Sequence, residues 1–340
     1  MKFKFRSVEC FVLLLGVVSP AYPQATPRVD AQETPRTTLA NESQSYQKSP
    51  YDYVVLKRGG VEAIVVNNAP VDNAVLPGHR GGYSGLASLK RTGQTSNLFV
   101  PSYAGLNFEH IHDGTTRERD VLFEPRNVAM ELRVVDKNTV ELYQPATPTW
   151  GLESATRYHM LEDGTIEMVF ECIPRRETFR HGYIGLFWAS YIHQPASLDI
   201  HFRGREAGQM ADAWIQARTP RHGVESTHVQ LEDQRSWKHD DDFPLTLVFN
   251  RSRYRYSEPV YFGVNQDSAL ISMFRPQDQI RMTQSPSGGG TGNPAWDFQW
   301  MIPDYKVDQR YQMVMRLQVI PYQGREDVWK KSQPHREALR

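Results

Sequence analysis

From residue 51 onward, apolar side chains fall in short runs that alternate with polar ones and stop at turn residues, the period-two signature of strands. Three pairs of runs have turn-forming residues between them: 53–57 and 62–67 flank Arg58-Gly59-Gly60, 131–135 and 139–143 flank Asp136-Lys137-Asn138, and 156–161 and 165–172 flank Glu162-Asp163-Gly164. Each turn supplies residues that tolerate a positive φ, so each pair predicts a β-hairpin. Further strands are expected at 185–192, 198–202, 226–231, 245–250, 260–264, 270–274, 279–283, 298–302 and 311–320. Helical periodicity is confined to 206–217 and to the tail from 325 onward.

About a dozen strands without strand–helix alternation exclude a doubly wound nucleotide-binding fold, and neither a G-x-G-x-x-G run nor a phosphate-binding loop occurs. No repeat of fixed period points to a propeller or solenoid. The expected fold is therefore all-β: one large antiparallel β-sandwich over 51–324, with a short helical tail at 325–340. At the N-terminus, Lys2, Lys4 and Arg6 precede an apolar run at 11–18 and small residues around Ala21 and Ala25, which reads as a signal peptide over 1–25. That run is too short to span a bilayer. A secreted or periplasmic protein without stable membrane insertion follows as the expectation, with 26–50, rich in Thr, Gln, Ser and Pro, as a flexible leader.

Composition narrows the partners. With 39 Lys+Arg against 39 Asp+Glu, nothing pulls the chain toward nucleic acid, so any anionic ligand needs a local patch. Of the two cysteines, Cys10 lies within the expected signal peptide and Cys172 in an apolar strand, so no intramolecular disulfide or thiolate metal site is available to the mature chain.

Candidate chemistry concentrates in 76–114, the least periodic part of the folded chain. In Asn107-Phe108-Glu109-His110-Ile111-His112-Asp113-Gly114, an extended backbone puts His110 and His112 on one side and Glu109 on the other. Two imidazoles on one strand face can serve as acid and base, contact a sugar, or ligate a divalent metal; ordinary polar packing is the alternative. Arg80 sits in a Gly-rich turn that lets a ligand approach. In 184–195, Leu186, Trp188, Ser190 and Ile192 share one face and Phe187, Ala189, Tyr191 and His193 the other, which predicts a central strand with Tyr191 and His193 near a site. Arg251, Arg253 and Arg255 could form a row for acidic polysaccharide, or protect an edge strand by pairing with Asp240-Asp241-Asp242. A glycine loop at 288–290 precedes Trp296 and Trp300, which suit either sugar stacking or the core.

Taken together, the strand-rich stretch 51–320, the 107–114 segment, the 181–195 strand and the closing 296–316 hairpin resemble the galactose mutarotase-like supersandwich superfamily of carbohydrate-active enzymes and associated domains. The resemblance implies a His and a carboxylate on a concave sheet acting as general acid and base on a sugar, with His110 the nearest match. The function expected is action on an oligosaccharide or polysaccharide by lyase, epimerase or hydrolase chemistry. His110, His112 and Tyr191 are the catalytic candidates, and Arg80, Glu109, His193, His228, Trp296 and Trp300 the binding candidates. No cofactor is expected beyond a divalent metal at His110 and His112 as an option. A noncatalytic glycan-binding module and a metal-dependent small-molecule enzyme are the alternatives.

Overall fold

A computed structural model describes residues 36–340; the expected signal peptide and the first part of the leader lie outside the described residues. All three expected hairpins form. Tyr53–Arg58 turns into Val61–Val66 through Gly59 and Gly60, both at positive φ, and Gly85–Arg91 completes a three-stranded sheet. A Cβ on Gly59 would fall 2.1 Å from the Asp163 carbonyl carbon, so the first hairpin turn is seated against the turn of the third.

The remaining strands make one continuous mixed sheet of fifteen. Hairpins Glu131–Asp136/Thr139–Gln144 and Leu152–Met160/Ile166–Pro174 lead through Tyr311–Pro321, Ser268–Phe274 and Arg251–Asn265 to Thr227–Gln230. Arg281–Ser285, Ala295–Pro303, Tyr183–Ala189 and Asn107–His112 follow in that order. The sheet folds over on itself. Phe170, from its first half, lies 4.9 Å from Trp188 and 5.1 Å from Phe108 in the last strands, and Trp188 stacks on Phe298 at 5.1 Å. These rings fill the space between the two layers, where apolar burial supplies the main driving force. Cys172 is buried in the same core.

Several elements depart from the sequence expectation. The sheet is antiparallel except where Thr227–Gln230 runs parallel to Arg251–Asn265. Residues 206–217 are not helical: Ala213–Ala217 is a strand paired with Ile200–Glu206, with Ile215 and Ala217 buried at a period of two. At 245–250 the expected strand is one helical turn, Thr246–Phe249, because the Leu247 and Val248 carbonyls are turned toward side-chain donors on the sheet below. Part of the expected leader is packed. Thr37 donates from N and Oγ1 to Glu171 Oε2 (3.1 and 2.5 Å), Thr38 N donates to Glu141 Oε2 (2.9 Å), and Gln47–Lys48 pairs with Glu131–Asp136. Polar composition hid this role, because the threonines bury by satisfying two carboxylates that have no exposure. At the other end, Arg325–Ala338 is a helix packed through Val328 on the outer face of the sheet.

Candidate functional site

Strand Asn107–His112 pairs with Tyr183–Ala189 out of step. His110 stands opposite Phe187, but the next pair is Phe108 with Trp188, so Glu109 has no partner. This is a β-bulge, which leaves one residue unpaired and re-aims its side chain. Glu109, expected to face away from His110, therefore lines the same cavity. Across the strand pair, Phe187, Ala189 and Tyr191 reach that cavity while Leu186, Trp188 and Ile192 go to the core, as the alternation predicts.

The cavity, about 390 Å³, is lined on this floor by Glu109, His110, Tyr191 and Asp297. Tyr191 OH donates to Glu109 Oε1 at 2.5 Å, Arg126 Nη1 donates to the same oxygen at 3.2 Å, and His110 Nε2 lies 3.4 Å from Glu109 Oε2. One wall carries Tyr83 and Tyr103, whose rings meet each other at 4.6 Å and Tyr191 at 5.8 and 4.9 Å. Arg126 lies 4.0 Å over the Tyr83 ring and Arg119 lies 4.3 Å over Phe123. Leu245, Leu247 and Gly288 also line the cavity, with His222 Nδ1 3.0 Å from Ser285 Oγ.

Burial controls the proton affinities. It raises the Glu109 carboxyl above the ordinary carboxylate range, against the lowering influence of the Tyr191 hydrogen bond and the nearby arginines. It drives His110 well below an ordinary imidazole, helped by His112 and by Arg126 and Arg119. Asp297 is pushed well upward by burial, although the Ser190 amide donates to its Oδ1 at 2.9 Å, and Glu109 adds to the rise. The shifts move a carboxylic acid and an imidazole 3.4 Å apart toward each other in proton affinity. Such a pair can pass a proton at small cost.

The structure brings His110, Glu109 and Tyr191 together and places the other candidates elsewhere. His112 shares the His110 face but is sealed beneath Phe243 and Phe249 (5.5 and 5.9 Å) and against Gly185, and burial takes it down to about 3. Arg80 is exposed in its turn, apart from the cavity lining. His193 lies past the end of the strand, held through its backbone by Leu98 and Asn265. His228 is buried beside Phe202 with its Nε2 2.9 Å from Gln284 Nε2. Trp296 and Trp300 belong to the core, while Trp214, Trp237 and Trp329 are half-buried. The Arg251, Arg253 and Arg255 row is broken by irregular pairing: Arg255 turns to the Leu231 and Asp233 carbonyls and Arg253 to Glu206, while Asp240 and Asp242 accept from Thr116.

Asp297, Arg126, Arg119, Tyr83 and Tyr103 were not found from the sequence. Asp297 carries a readable signal, a carboxylate between the inward aromatics Trp296 and Phe298, hence on the opposite face. The arginines lie in 115–130, which has no period to place them. Among the described residues no group of three or more His, Cys, Asp or Glu side chains is gathered to hold a metal ion, and no helix is long and apolar enough to cross a membrane.

No protein-family model matches the sequence, and no curated protein matches it. The fold is similar to solved structures of galactose mutarotase-like and other carbohydrate-active proteins. An Escherichia coli K12 protein assigned as an aldose 1-epimerase matches at 12% identity and TM-score 0.46, over 79% of this chain and 99% of its own. The α-N-acetylgalactosaminidase NagBb of Bifidobacterium bifidum matches at 11% identity and TM-score 0.46, over 83% of this chain and 38% of its own. A galactose mutarotase related enzyme from Lactobacillus acidophilus matches at 9% identity and TM-score 0.38, over 79% and 97%.

Proposed function

We propose that this chain is an exported enzyme that acts on a saccharide by proton transfer, of lyase or epimerase type, with Glu109 and His110 as the acid/base pair. The observation that carries the reading is the bulge, which turns Glu109 into the same cavity as His110, 3.4 Å from its Nε2. The tyrosine faces of the wall suit the C–H face of a sugar ring, and Arg119 and Arg126 suit an acidic substituent. For a uronic acid, the arginines hold the carboxylate and neutral His110 takes the proton from the adjacent carbon. The bond to the leaving glycosidic oxygen then breaks, a carbon–carbon double bond forms, and the Glu109 carboxyl donates the proton to that oxygen. Tyr191 and Arg126, both donating to Glu109 Oε1, leave Oε2 to carry the proton. Export is proposed on the basic, apolar and small-residue order of the N-terminal segment.

Two carboxyls, Glu109 and Asp297, line one cavity, and this favours hydrolysis as the second reading. A noncatalytic sugar-binding face built on Trp296 and Trp300 is disfavoured, because both rings are buried in the core. The test is a screen of the exported chain against neutral and acidic oligosaccharides, following reducing ends, unsaturated uronic products and anomer exchange. Unsaturated ends or exchange that vanish in Glu109→Gln support the proposal. Reducing ends without unsaturation move it to hydrolysis, and binding without turnover on any substrate overturns it.

A further inference from the structure

The concave face continues beyond the cavity. His110, Phe187, Gln299 and Arg281 stand opposite one another on four adjacent strands, so their side chains share that face. The spacing of strands puts Arg281 about 14 Å from His110. His112 lies on the same face, two residues along from His110. Among these, His112, Gln299 and Arg281 are at most 1% exposed. Both His112 ring nitrogens, Gln299 Oε1, and Nε and Nη1 of Arg281 are buried without a hydrogen-bond partner. A polar atom buried without a partner loses its hydration and gains nothing in return, and native proteins keep such atoms few.

What covers them is the segment 243–249. Phe243 and Phe249 lie over His112, the Val248 carbonyl accepts from Arg281 Nη2 (2.9 Å) and Gln299 Nε2 (3.0 Å), and the Leu247 carbonyl accepts from Thr227 Oγ1 (2.6 Å). The same segment supplies Leu245 and Leu247 to the cavity wall, so lifting it would join the cavity to the covered face. Among the described residues no carboxylate pairs with Arg281: Asp233, the acid nearest in influence, is held by both Nε and Nη2 of Arg235 (2.9 and 3.1 Å). The repulsion of Arg251 and Arg235 also bears on Arg281.

We propose that residues 243–249 form a displaceable strap over a second sugar subsite, contiguous with the cavity, in which Arg281 binds the carboxylate of a uronic acid unit and His112 and Gln299 bind its hydroxyls. The proposal rests on the reading that the cavity takes a saccharide. Two N–H groups of one guanidinium match a carboxylate in a fork, and sugar hydroxyls both donate and accept, as His112 and Gln299 require.

The experiment is calorimetric titration of the chain with a free uronic acid, its linear disaccharide and tetrasaccharide, and neutral sugars of equal length, with amide exchange followed over 243–249. The acidic tetrasaccharide is expected to bind at least tenfold tighter than the free acid and to speed exchange in the strap, while the neutral tetrasaccharide does neither. Arg281→Met should remove the gain with length and leave binding of the free acid unchanged. Because that variant also loses a strap contact, Phe249→Ala provides a second reading: a looser strap should raise affinity for the acidic tetrasaccharide alone. Acidic sugars that bind with no gain in length and no change in strap exchange overturn the strap proposal but leave the cavity reading standing. Absence of binding by every sugar overturns both.

Discussion

The Tyr191 hydroxyl donates to Glu109 Oε1 at 2.5 Å, tying the residue extruded by a bulge to the end of the neighbouring strand. One carboxylate oxygen is thereby occupied by two donors, Tyr191 and Arg126, and the other faces His110. Glu109→Gln keeps the size and most of these contacts but cannot give up a proton. Turnover should fall by about 10²–10⁴ with the melting temperature little changed. Tyr191→Phe should retain more activity than Glu109→Gln, because it frees Glu109 without removing the acid. Steady-state rates beside thermal melts check both.

The pH dependence of turnover follows from the directions of the two shifts. His110 must be neutral to accept a proton, and its lowered affinity carries the acid limb below the ordinary imidazole range. Glu109 must be protonated to donate, and its raised affinity carries the alkaline limb above the ordinary carboxylate range. The two groups titrate as a pair, so a kcat/KM profile reports them jointly. Glu109→Gln should abolish the alkaline limb in its residual activity; retention of that limb assigns it to another group.

Asp297 bears on stability with the opposite pH sense to a salt-bridged acid. Its affinity in the folded chain is raised, so the stability linked to it is full below the unfolded carboxyl value and lost as pH rises through the folded one. Asp297→Asn keeps an acceptor for the Ser190 amide and removes the buried charge. The variant should be more stable than the parent at pH 8 by about 1–3 kcal/mol, with the difference closing at pH 3. Denaturant unfolding at the two pH values measures this.

His112 should produce acid lability. Its affinity falls from 6.5 to about 3 in the folded chain, so the neutral form is favoured and stability is lost as pH drops below 6.5 toward 3. His110, His228, His79 and His201 are lowered as well, burial being the largest cause in each, and add to the slope. His112→Gln should make the loss of stability between pH 6.5 and 4 shallower than in the parent, by up to about 1.4 kcal/mol per pH unit. An unchanged slope would assign the lability to the other lowered histidines, His79, His110, His201 and His228.

Gly185 lets His112 fit. A Cβ there would come 2.2 Å from the imidazole Cε1, inside a strand paired on both sides. Gly185→Ala should destabilise the protein by about 1–3 kcal/mol through overpacking. The double variant Gly185→Ala with His112→Ala should recover part of that loss, which a double-mutant cycle would show.

The hairpins were legible because their information is local: alternation plus glycines in the turn. The face shared by Phe187, Ala189 and Tyr191 was legible for the same reason. The position of Glu109 was not, because the bulge is a mismatch in register between residues 107–112 and 183–189, and neither segment alone shows it. The tryptophans looked as suited to sugar as to the core, and only the folding of the sheet onto itself decided between them. Arg126 and Arg119 needed the irregular 115–130 segment to be placed against Tyr83 and Phe123.

Thr37 and Thr38 reach Glu171 and Glu141, which lie 134 and 103 residues further along the chain. The segment synthesised first among the described residues thus meets its partners only after the strands bearing both carboxylates have emerged and paired. Contacts so distant in sequence are slow to form. Two consecutive threonines that fit only a completed pair of hairpins act as a latch, closing when the sheet beneath them has its final register.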